Sequence, residues 1–161
     1  MDRRTLLGGG AMLAFAAMFG LSRLWARDEP RPQGPFVLSD AQWRARLTPG
    51  QYAVLRQAAT ERAGSSPLDR EHRRGIFHCA GCDLPLFSSA TKYESGTGWP
   101  SFWRALPRAV GTRIDRQLGY ARLEAHCARC GGHLGHVFDD GPRPTGKRYC
   151  MNGVALRFVP A

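Results

Sequence analysis

The chain has 161 residues, which is enough for one domain with a modest hydrophobic core. It carries 23 Lys and Arg residues against 13 Asp and Glu residues, a formal net charge of +10 at neutral pH. The arginines are scattered, with no dense basic block and no aromatic residues interleaved among them. The charge therefore indicates a solvated basic surface and argues against a nucleic-acid-binding protein.

Residues 1–26 have the pattern of a targeting segment rather than of a folded element. Arg3 and Arg4 precede an uncharged, glycine- and alanine-rich run from Leu6 to Leu21. That run is shorter than the ~20 residues of a membrane-spanning helix, and it resembles a twin-arginine export signal of bacteria. We therefore expect export to the periplasm. The alternative is an uncleaved inner-membrane anchor, because Leu24 stands where cleavage favours a small residue.

The folded domain is expected over residues 36–161, after a proline-rich linker at residues 27–35. Ser39 and Asp40 form a capping signal for a short helix that ends near Leu47. Thr48 followed by Pro49 then predicts the start of a second helix.

Short apolar or alternating runs, separated by Gly, Pro and Asp, follow from Ile76 onward and predict β-strands. They lie at Ile76–His78, Leu84–Phe87, Thr112–Ile114, Tyr120–Ala125, Leu134–Phe138, Lys147–Asn152 and Val154–Val159. Asn152 and Gly153, between the last two runs, predict a tight hairpin. The pattern as a whole predicts a mainly β domain with antiparallel strands and two short N-terminal helices.

Four of the five cysteines form two Cys-x-x-Cys pairs. They are Cys79 with Cys82 and Cys127 with Cys130. Two such pairs are typical of a four-thiolate structural zinc site, because each two-residue gap lets both sulfurs bind one tetrahedral ion. The 44 residues between the pairs require two elements that are distant in sequence but adjacent in space. We expect Gly81, Gly131 and Gly132 to supply the permissive backbone that such turns need.

Two other interpretations of the pairs remain open. Each pair could be a thioredoxin-like redox motif, although no βαβ pattern surrounds either one. Each pair could also be a disulfide, because the chain carries an export-like segment.

Cys150 stands apart from both pairs, and an odd cysteine in an exported protein indicates a partner chain or a reactive thiol. The run Lys147–Asn152 predicts a strand, in which side chains alternate between two faces. Arg148, Cys150 and Asn152 then share one face. Because nearby positive charge favours the thiolate, which is the nucleophilic form, this arrangement indicates a reactive centre. The alternative is a small buried hydrophobic residue.

Trp99 lies in a loop, Lys92–Phe102, that also contains Gly96, Gly98 and Pro100. A loop tryptophan between glycines can form the wall of a pocket. The alternative is an ordinary core residue.

These motifs resemble those of the B-type methionine sulfoxide reductases over roughly residues 37–159. The matching stretches are Phe77-His-Cys-x-x-Cys, Gly98-Trp-Pro-Ser-Phe, His133-Leu-Gly-His-Val-Phe-Asp-Asp-Gly-Pro and Arg148-Tyr-Cys-Met-Asn. The resemblance implies reduction of the R epimer of methionine sulfoxide, free or in oxidised proteins. It also implies two antiparallel sheets and a structural Zn²⁺ on the four paired cysteines, away from the reacting centre.

In such an enzyme, Cys150 as thiolate attacks the sulfoxide sulfur, and the oxygen needs a proton donor to leave. His133 and His136 are the candidates, because histidine titrates near neutrality. Their spacing of three residues predicts opposite faces of a strand, unless the backbone turns at Gly135. One histidine would otherwise be structural.

The resemblance also implies roles for four further residues. Asp140 would orient a histidine or hold a water, and Arg148 would lower the pKa of the thiol. Asn152 would hydrogen-bond near the reacting centre, and Trp99 would enclose the substrate methyl group.

The sequence departs from much of the family at Thr97, where many members carry a resolving cysteine. If the paired cysteines bind zinc, no thiol remains for an internal disulfide. An external thiol, thioredoxin-like or small, would then reduce the sulfenic acid on Cys150. Two other functional classes remain to be tested: a zinc-ribbon-like binding module without catalysis, and a dithiol oxidoreductase that uses the Cys-x-x-Cys pairs.

Overall fold

The computed structural model describes residues 34–161. The predicted targeting segment at residues 1–26, and the linker as far as residue 33, lie outside the described residues. Among residues 34–161, no helix is both long enough and apolar enough to span a bilayer.

Two short helices precede the strands, as the sequence predicts. The first, α1, covers Asp40–Arg46, and the second, α2, covers Pro49–Gln57. A capping box starts each of them: Ser39 precedes α1 and Thr48 precedes α2, and each accepts a backbone N–H from a glutamine three residues further on. The apolar side of α2 packs against the larger sheet, and Leu55 is fully buried there.

The strands within residues 34–161 form two antiparallel sheets, which confirms the expected fold class. The smaller sheet has the order β2 (Pro85–Ser88), β1 (Gly75–Cys79), β9 (Leu156–Pro160). The larger sheet has the order β3 (Lys92–Tyr93), β4 (Ser101–Phe102), β8 (Arg148–Met151), β7 (His133–Phe138), β6 (Arg122–Cys127), β5 (Val110–Asp115). Short 3-10 helices lie at Pro67–Arg70, Ser89–Thr91 and Gly153–Ala155.

The predicted hairpin at Asn152 and Gly153 is wrong, because β8 and β9 belong to different sheets. A tight Asn-Gly hairpin needs positive φ at both residues, whereas Asn152 has φ −65° and begins the 3-10 helix Gly153–Ala155. Glycine is needed here for close packing instead, since a side chain at Gly153 would collide with Ser66.

An aromatic core lies between the two sheets. Phe102 of β4 stacks on Phe87 of β2, with ring centroids 4.3 Å apart, and meets Phe77 of β1 edge-on at 4.9 Å. All three rings are fully buried. Because side chains alternate along a strand, the opposite face of the larger sheet is left for polar groups.

Candidate active site

A single row of cross-strand partners crosses the polar face of the larger sheet. Directly opposed residues of antiparallel strands place their side chains on the same face, close together. From β3 to β5 the row reads Tyr93, Ser101, Cys150, His136, Glu124 and Arg113. The strand pairing therefore sets the Cys150 thiol between a serine hydroxyl and an imidazole.

His133 shares this face with His136, contrary to the expectation from their spacing. The register between β6 and β7 breaks: Ala125 is opposite Gly135, but His126 is opposite His133, so Leu134 is an extra residue. A β-bulge of this kind shifts the alternation by one residue. The bulge at Leu134, rather than a turn at Gly135, brings the two imidazole centroids to 5.3 Å.

Each histidine is held by a carboxylate that the sequence motifs did not single out. His133 Nδ1 lies 2.8 Å from Glu124 Oε1, and His136 Nε2 lies 2.8 Å from Asp115 Oδ2. An ionised carboxylate only accepts hydrogen bonds, so both imidazoles donate through these nitrogens. In the neutral form, each imidazole therefore carries its proton on the nitrogen that faces the carboxylate. His133 Nε2 and His136 Nδ1 are then the nitrogens without a proton, which can accept a hydrogen bond. His133 Nε2 is buried and has no hydrogen-bond partner within residues 34–161.

The Glu124 carboxylate stays ionised although it is buried. Burial raises the pKa of Glu124, but hydrogen bonds from His133 and Arg113 outweigh burial and lower this pKa to about 2. Glu124 is therefore a fixed acceptor for its histidine at neutral pH.

The Asp115 carboxylate behaves in the same way. Burial raises its pKa, but hydrogen bonds from the Gln117 amide, His136 and Arg122 lower the pKa to about 2. Arg122 Nη2 lies 2.5 Å from Asp115 Oδ2. The pKa of His136 is lowered by burial, which outweighs the hydrogen bond to Asp115. His136 is therefore a neutral imidazole in the resting site.

Cys150 opens into a pocket of about 140 Å³. The lining residues are Thr60, Trp99, Arg122, Gly135, His136, Phe138, Cys150 and Asn152. Of the predicted site residues, the pocket thus brings together Cys150, His136, Asn152 and Trp99. It also adds Arg122, which lies outside the quoted motifs, and Phe138, which lies inside one of them but was not singled out.

Burial raises the pKa of the Cys150 thiol, and this effect outweighs the opposing influence of Thr97 and Arg148. Arg148 therefore acts in the predicted direction without setting the outcome. Its charge is shared, because its guanidinium donates to both oxygens of Asp140 at 2.8 Å. It also lies 4.4 Å from the Phe138 ring centroid.

Asp140 does not orient a histidine. It is exposed, and its carboxylate accepts from Arg148 instead, which lowers the pKa of Asp140. The residues that orient the histidines are the strand carboxylates Glu124 and Asp115. Asp140 is therefore placed to hold Arg148 against the site.

Glu61 connects the two pocket residues Asn152 and Trp99. The Glu61 amide donates to Asn152 Oδ1 at 2.9 Å, and its carbonyl accepts from Trp99 Nε1 at 3.2 Å. The Glu61 carboxylate accepts from the first two N–H groups of Gly153–Ala155, at 2.6 and 3.0 Å. Asn152 Nδ2 donates to Leu134 O at 3.1 Å. Asn152 is therefore fixed on both sides of its amide at the edge of the pocket.

The four paired cysteines form a candidate metal site at the ends of β1 and β6. Their sulfurs lie within 4.8 Å of one another, and all four residues are buried. Two contacts run between the pairs: 3.7 Å from Cys79 Sγ to Cys130 Sγ and 3.5 Å from Cys82 Sγ to Cys127 Sγ. Tetrahedral Zn²⁺ with bonds of about 2.3 Å requires sulfur separations of roughly 3.8 Å. The set therefore fits one tetrahedral ion.

The two cysteine turns have the same backbone geometry. The Asp83 amide donates to Cys79 O at 2.8 Å, and the Gly131 amide donates to Cys127 O at 2.9 Å. Asp83 and Gly131 have φ of +64° and +67°. The prediction that Gly81 supplies the permissive backbone is wrong, because the left-handed position falls at Asp83, where a short polar side chain tolerates it.

Comparison with known proteins gives a consistent match. The SelR domain family matches residues 47–160. The chain is 52% identical over 134 residues to the peptide methionine sulfoxide reductase MsrB of Thiobacillus denitrificans, covering 83% of this chain and 96% of that protein. It is 54% identical to the MsrB of Leifsonia xyli, covering 76% and 89%. It is 51% identical to the MsrB of Leptospira interrogans, covering 74% and 92%.

Proposed function

The chain belongs to the SelR-domain family of B-type peptide methionine sulfoxide reductases, and we propose that it reduces methionine R-sulfoxide with Cys150 as nucleophile. The observation that carries this assignment is the cross-strand row in which Cys150 opposes His136 inside a pocket walled by Trp99 and Phe138. Aromatic faces suit the polarisable methyl–sulfur end of the substrate.

The resting thiol needs a base, and the neutral His136 offers Nδ1 while Asp115 holds Nε2. The thiolate attacks the sulfoxide sulfur, and the imidazolium returns the proton as the oxygen leaves. The hydroxide that leaves then attacks the Cys150 sulfur and breaks the new bond between the two sulfurs, which gives methionine and a cysteine sulfenic acid that carries the substrate oxygen. The proton that left the thiol ends on the sulfenic acid, so atoms and charge balance.

We propose Zn²⁺ as the ion that the four paired cysteines hold. Four thiolates fill a tetrahedral shell and leave no position for water or substrate, so the ion would supply folding energy rather than catalysis. A disulfide within each pair, or a dithiol redox motif, is disfavoured because the four free sulfurs form one cluster, within 4.8 Å of one another, and not two separate pairs. A zinc-ribbon-like binding module would share this metal site, but it has no need for the oriented histidines beside Cys150.

We propose that the sulfenic acid is reduced by an external thiol, thioredoxin-like or small. Among residues 34–161, the other cysteines are the four buried ones at the metal site. Thr97 occupies the loop position beside Cys150, with 3.9 Å between Oγ1 and Sγ. One external thiol would displace water to form a mixed disulfide, and a second would release Cys150 as thiol. Export to the periplasm is proposed from the Arg3-Arg4 segment alone.

The epimer preference tests the proposed function. With dithiothreitol as reductant, we expect turnover of the R epimer of a methionine sulfoxide peptide. We expect the rate with the S epimer to equal that of a Cys150→Ser variant, since each epimer has its own enzyme class. Chromatography of both epimers in parallel measures this. Equal consumption of the two, or preference for S, would contradict the assignment.

The oxidised product tests the external-thiol step. After one equivalent of R-sulfoxide without reductant, we expect intact mass spectrometry to show one added oxygen atom, and dimedone to label Cys150. A Thr97→Cys variant is the matched comparison. Its new thiol lies beside Cys150, so we expect loss of two hydrogens through an internal disulfide. An internal Cys150 disulfide in the unmodified protein would refute the proposal.

A further inference from the structure

A chain of hydroxyl groups leads away from the Cys150 sulfur. Thr97 Oγ1 lies 3.9 Å from Cys150 Sγ and 2.8 Å from Ser95 Oγ. Ser95 Oγ lies 2.7 Å from Ser101 Oγ, which lies 3.0 Å from the carbonyl oxygen of Trp99. The chain therefore joins the reactive sulfur to a backbone carbonyl through three side chains.

The carbonyl fixes the direction of every hydrogen bond in this chain. A carbonyl only accepts, so Ser101 must donate its single hydroxyl proton to Trp99. Ser95 must then donate to Ser101, and Thr97 must donate to Ser95. Thr97 has no proton left for the sulfur, so its oxygen accepts from the S–H of Cys150. This direction suits the thiol and leaves Thr97 unable to donate to a thiolate, so the groups that favour the thiolate would then be Ser101 and Arg148.

The thiolate requires the opposite direction. Thr97 must then donate its proton to the sulfur, and Ser95 must donate to Thr97. Ser101 must donate to Ser95, so the Trp99 carbonyl no longer receives a hydrogen bond from Ser101. Loss of this hydrogen bond to the carbonyl raises the free energy of the thiolate state. When Cys150 becomes a sulfenic acid, its S–O–H is again a donor and the first direction returns. The chain would thus reverse twice in each turnover.

We propose that Ser95 is a positioning residue, which acts through Thr97 to hold Cys150 as a thiol between turnovers. The inference rests on the proposed function only in taking Cys150 as the nucleophile. Ser95 makes its hydrogen bonds to Thr97 and Ser101, so it acts on the sulfur indirectly. Several charged or titratable groups of the neighbouring strands and loops face Cys150: Arg148, His136, Arg122 and Tyr93. Asp140 lies behind Arg148. A hydroxyl deletion at position 95 leaves all of them in place.

The pH profile of Cys150 alkylation by iodoacetamide tests this role without any substrate. In Ser95→Ala, Thr97 loses its acceptor and is free to donate to the thiolate. We expect the midpoint of the profile to fall by about 0.5 to 1 pH unit. In Thr97→Val the donor is absent, and the midpoint should rise. Ser95→Thr restores the hydroxyl and should restore the original profile.

A rise in the midpoint of the Ser95→Ala profile would overturn the inference. If the hydroxyls served only as donors to the thiolate, Ser95→Ala would raise the midpoint, and a purely structural Ser95 would leave it unchanged. Ser95→Gly, which also removes the hydroxyl, should shift the profile as Ser95→Ala does. An unshifted profile in an enzyme active on R-sulfoxide refutes this inference alone. A shifted profile in a protein without turnover refutes the proposed function alone.

Discussion

Replacing Cys150 by serine is expected to abolish reduction of methionine R-sulfoxide, with a fall in kcat/KM of at least about 10⁴-fold. Serine is close in size to cysteine, but its hydroxyl does not ionise near neutral pH, and its oxygen cannot take up the sulfoxide oxygen as the cysteine thiolate does when it becomes a sulfenic acid. The half-buried thiol is in hydrogen-bonding contact with Thr97, a contact that serine can also form. Steady-state assays with the R epimer measure the loss.

The same variant should keep its metal content and its unfolding temperature. Retained fold with lost turnover separates the reductase from a binding module, which would be indifferent to this change. A second comparison is Thr97→Val, which alters the contact to the sulfur but leaves the nucleophile. Residual turnover in Cys150→Ser above the rate without enzyme would contradict the assigned role.

Replacing Cys127 by serine is expected to unfold the domain. A structural zinc site contributes an apparent free energy of about 10–16 kcal/mol, whereas a whole domain is stable by about 5–15 kcal/mol. Cys127 is fully buried at the end of β6, and its partners come from both sheets. Loss of one ligand removes much of the metal affinity and leaves three buried thiols without their ion. Circular dichroism melts and zinc analysis on the purified variant measure the effect.

Cys150→Ser is the matched control for this loss, because it removes a thiol that lies outside the metal site. Treating the unaltered protein with a strong chelator should reproduce the unfolding, and added Zn²⁺ should reverse it. A Cys127→Ser protein that melts at the original temperature would show that the four cysteines do not hold a structural ion.

The sequence predicts the helices and most strands because capping residues and alternation are local signals. The Ser39 and Thr48 caps start helices as expected. The hairpin prediction at Asn152 was wrong for a non-local reason. The Asn152 side-chain amide accepts a hydrogen bond from the backbone N–H of Glu61, which lies 91 residues away in the sequence. A local turn signal loses to such a contact when the two flanking strands belong to different sheets.

The sequence analysis did not identify Glu124 and Asp115, the carboxylates that hydrogen-bond to the two histidines. Glu124 lies in an alternating run, where a polar residue normally faces solvent. Alternation shows that Glu124 and His126 share a face, but it does not show that this face is covered. In the structure Glu124 is only 4% exposed. Several titratable residues on one face of a predicted strand were the available signal.

The shared face of His133 and His136 could not be derived from spacing at all. It depends on Leu134, an extra residue of β7 that has no opposite partner in β6. A bulge of this kind has no distinct composition, and Leu134 resembles any core leucine. Family resemblance placed both histidines in the site, and strand pairing explains how they reach it.

The metal site and the reactive sulfur are joined by a short length of backbone. Ala80, inside the first cysteine turn, donates its amide proton to the carbonyl of Ala155 at 2.9 Å. Ala155 ends the 3-10 helix that follows Asn152, where the chain passes from the larger sheet to the smaller one. If the four cysteines hold the proposed ion, we expect a preparation that is only partly loaded with metal to be a mixture of active and inactive molecules. Its kcat, calculated per total protein, should then scale with metal occupancy, while its KM should be that of the loaded fraction.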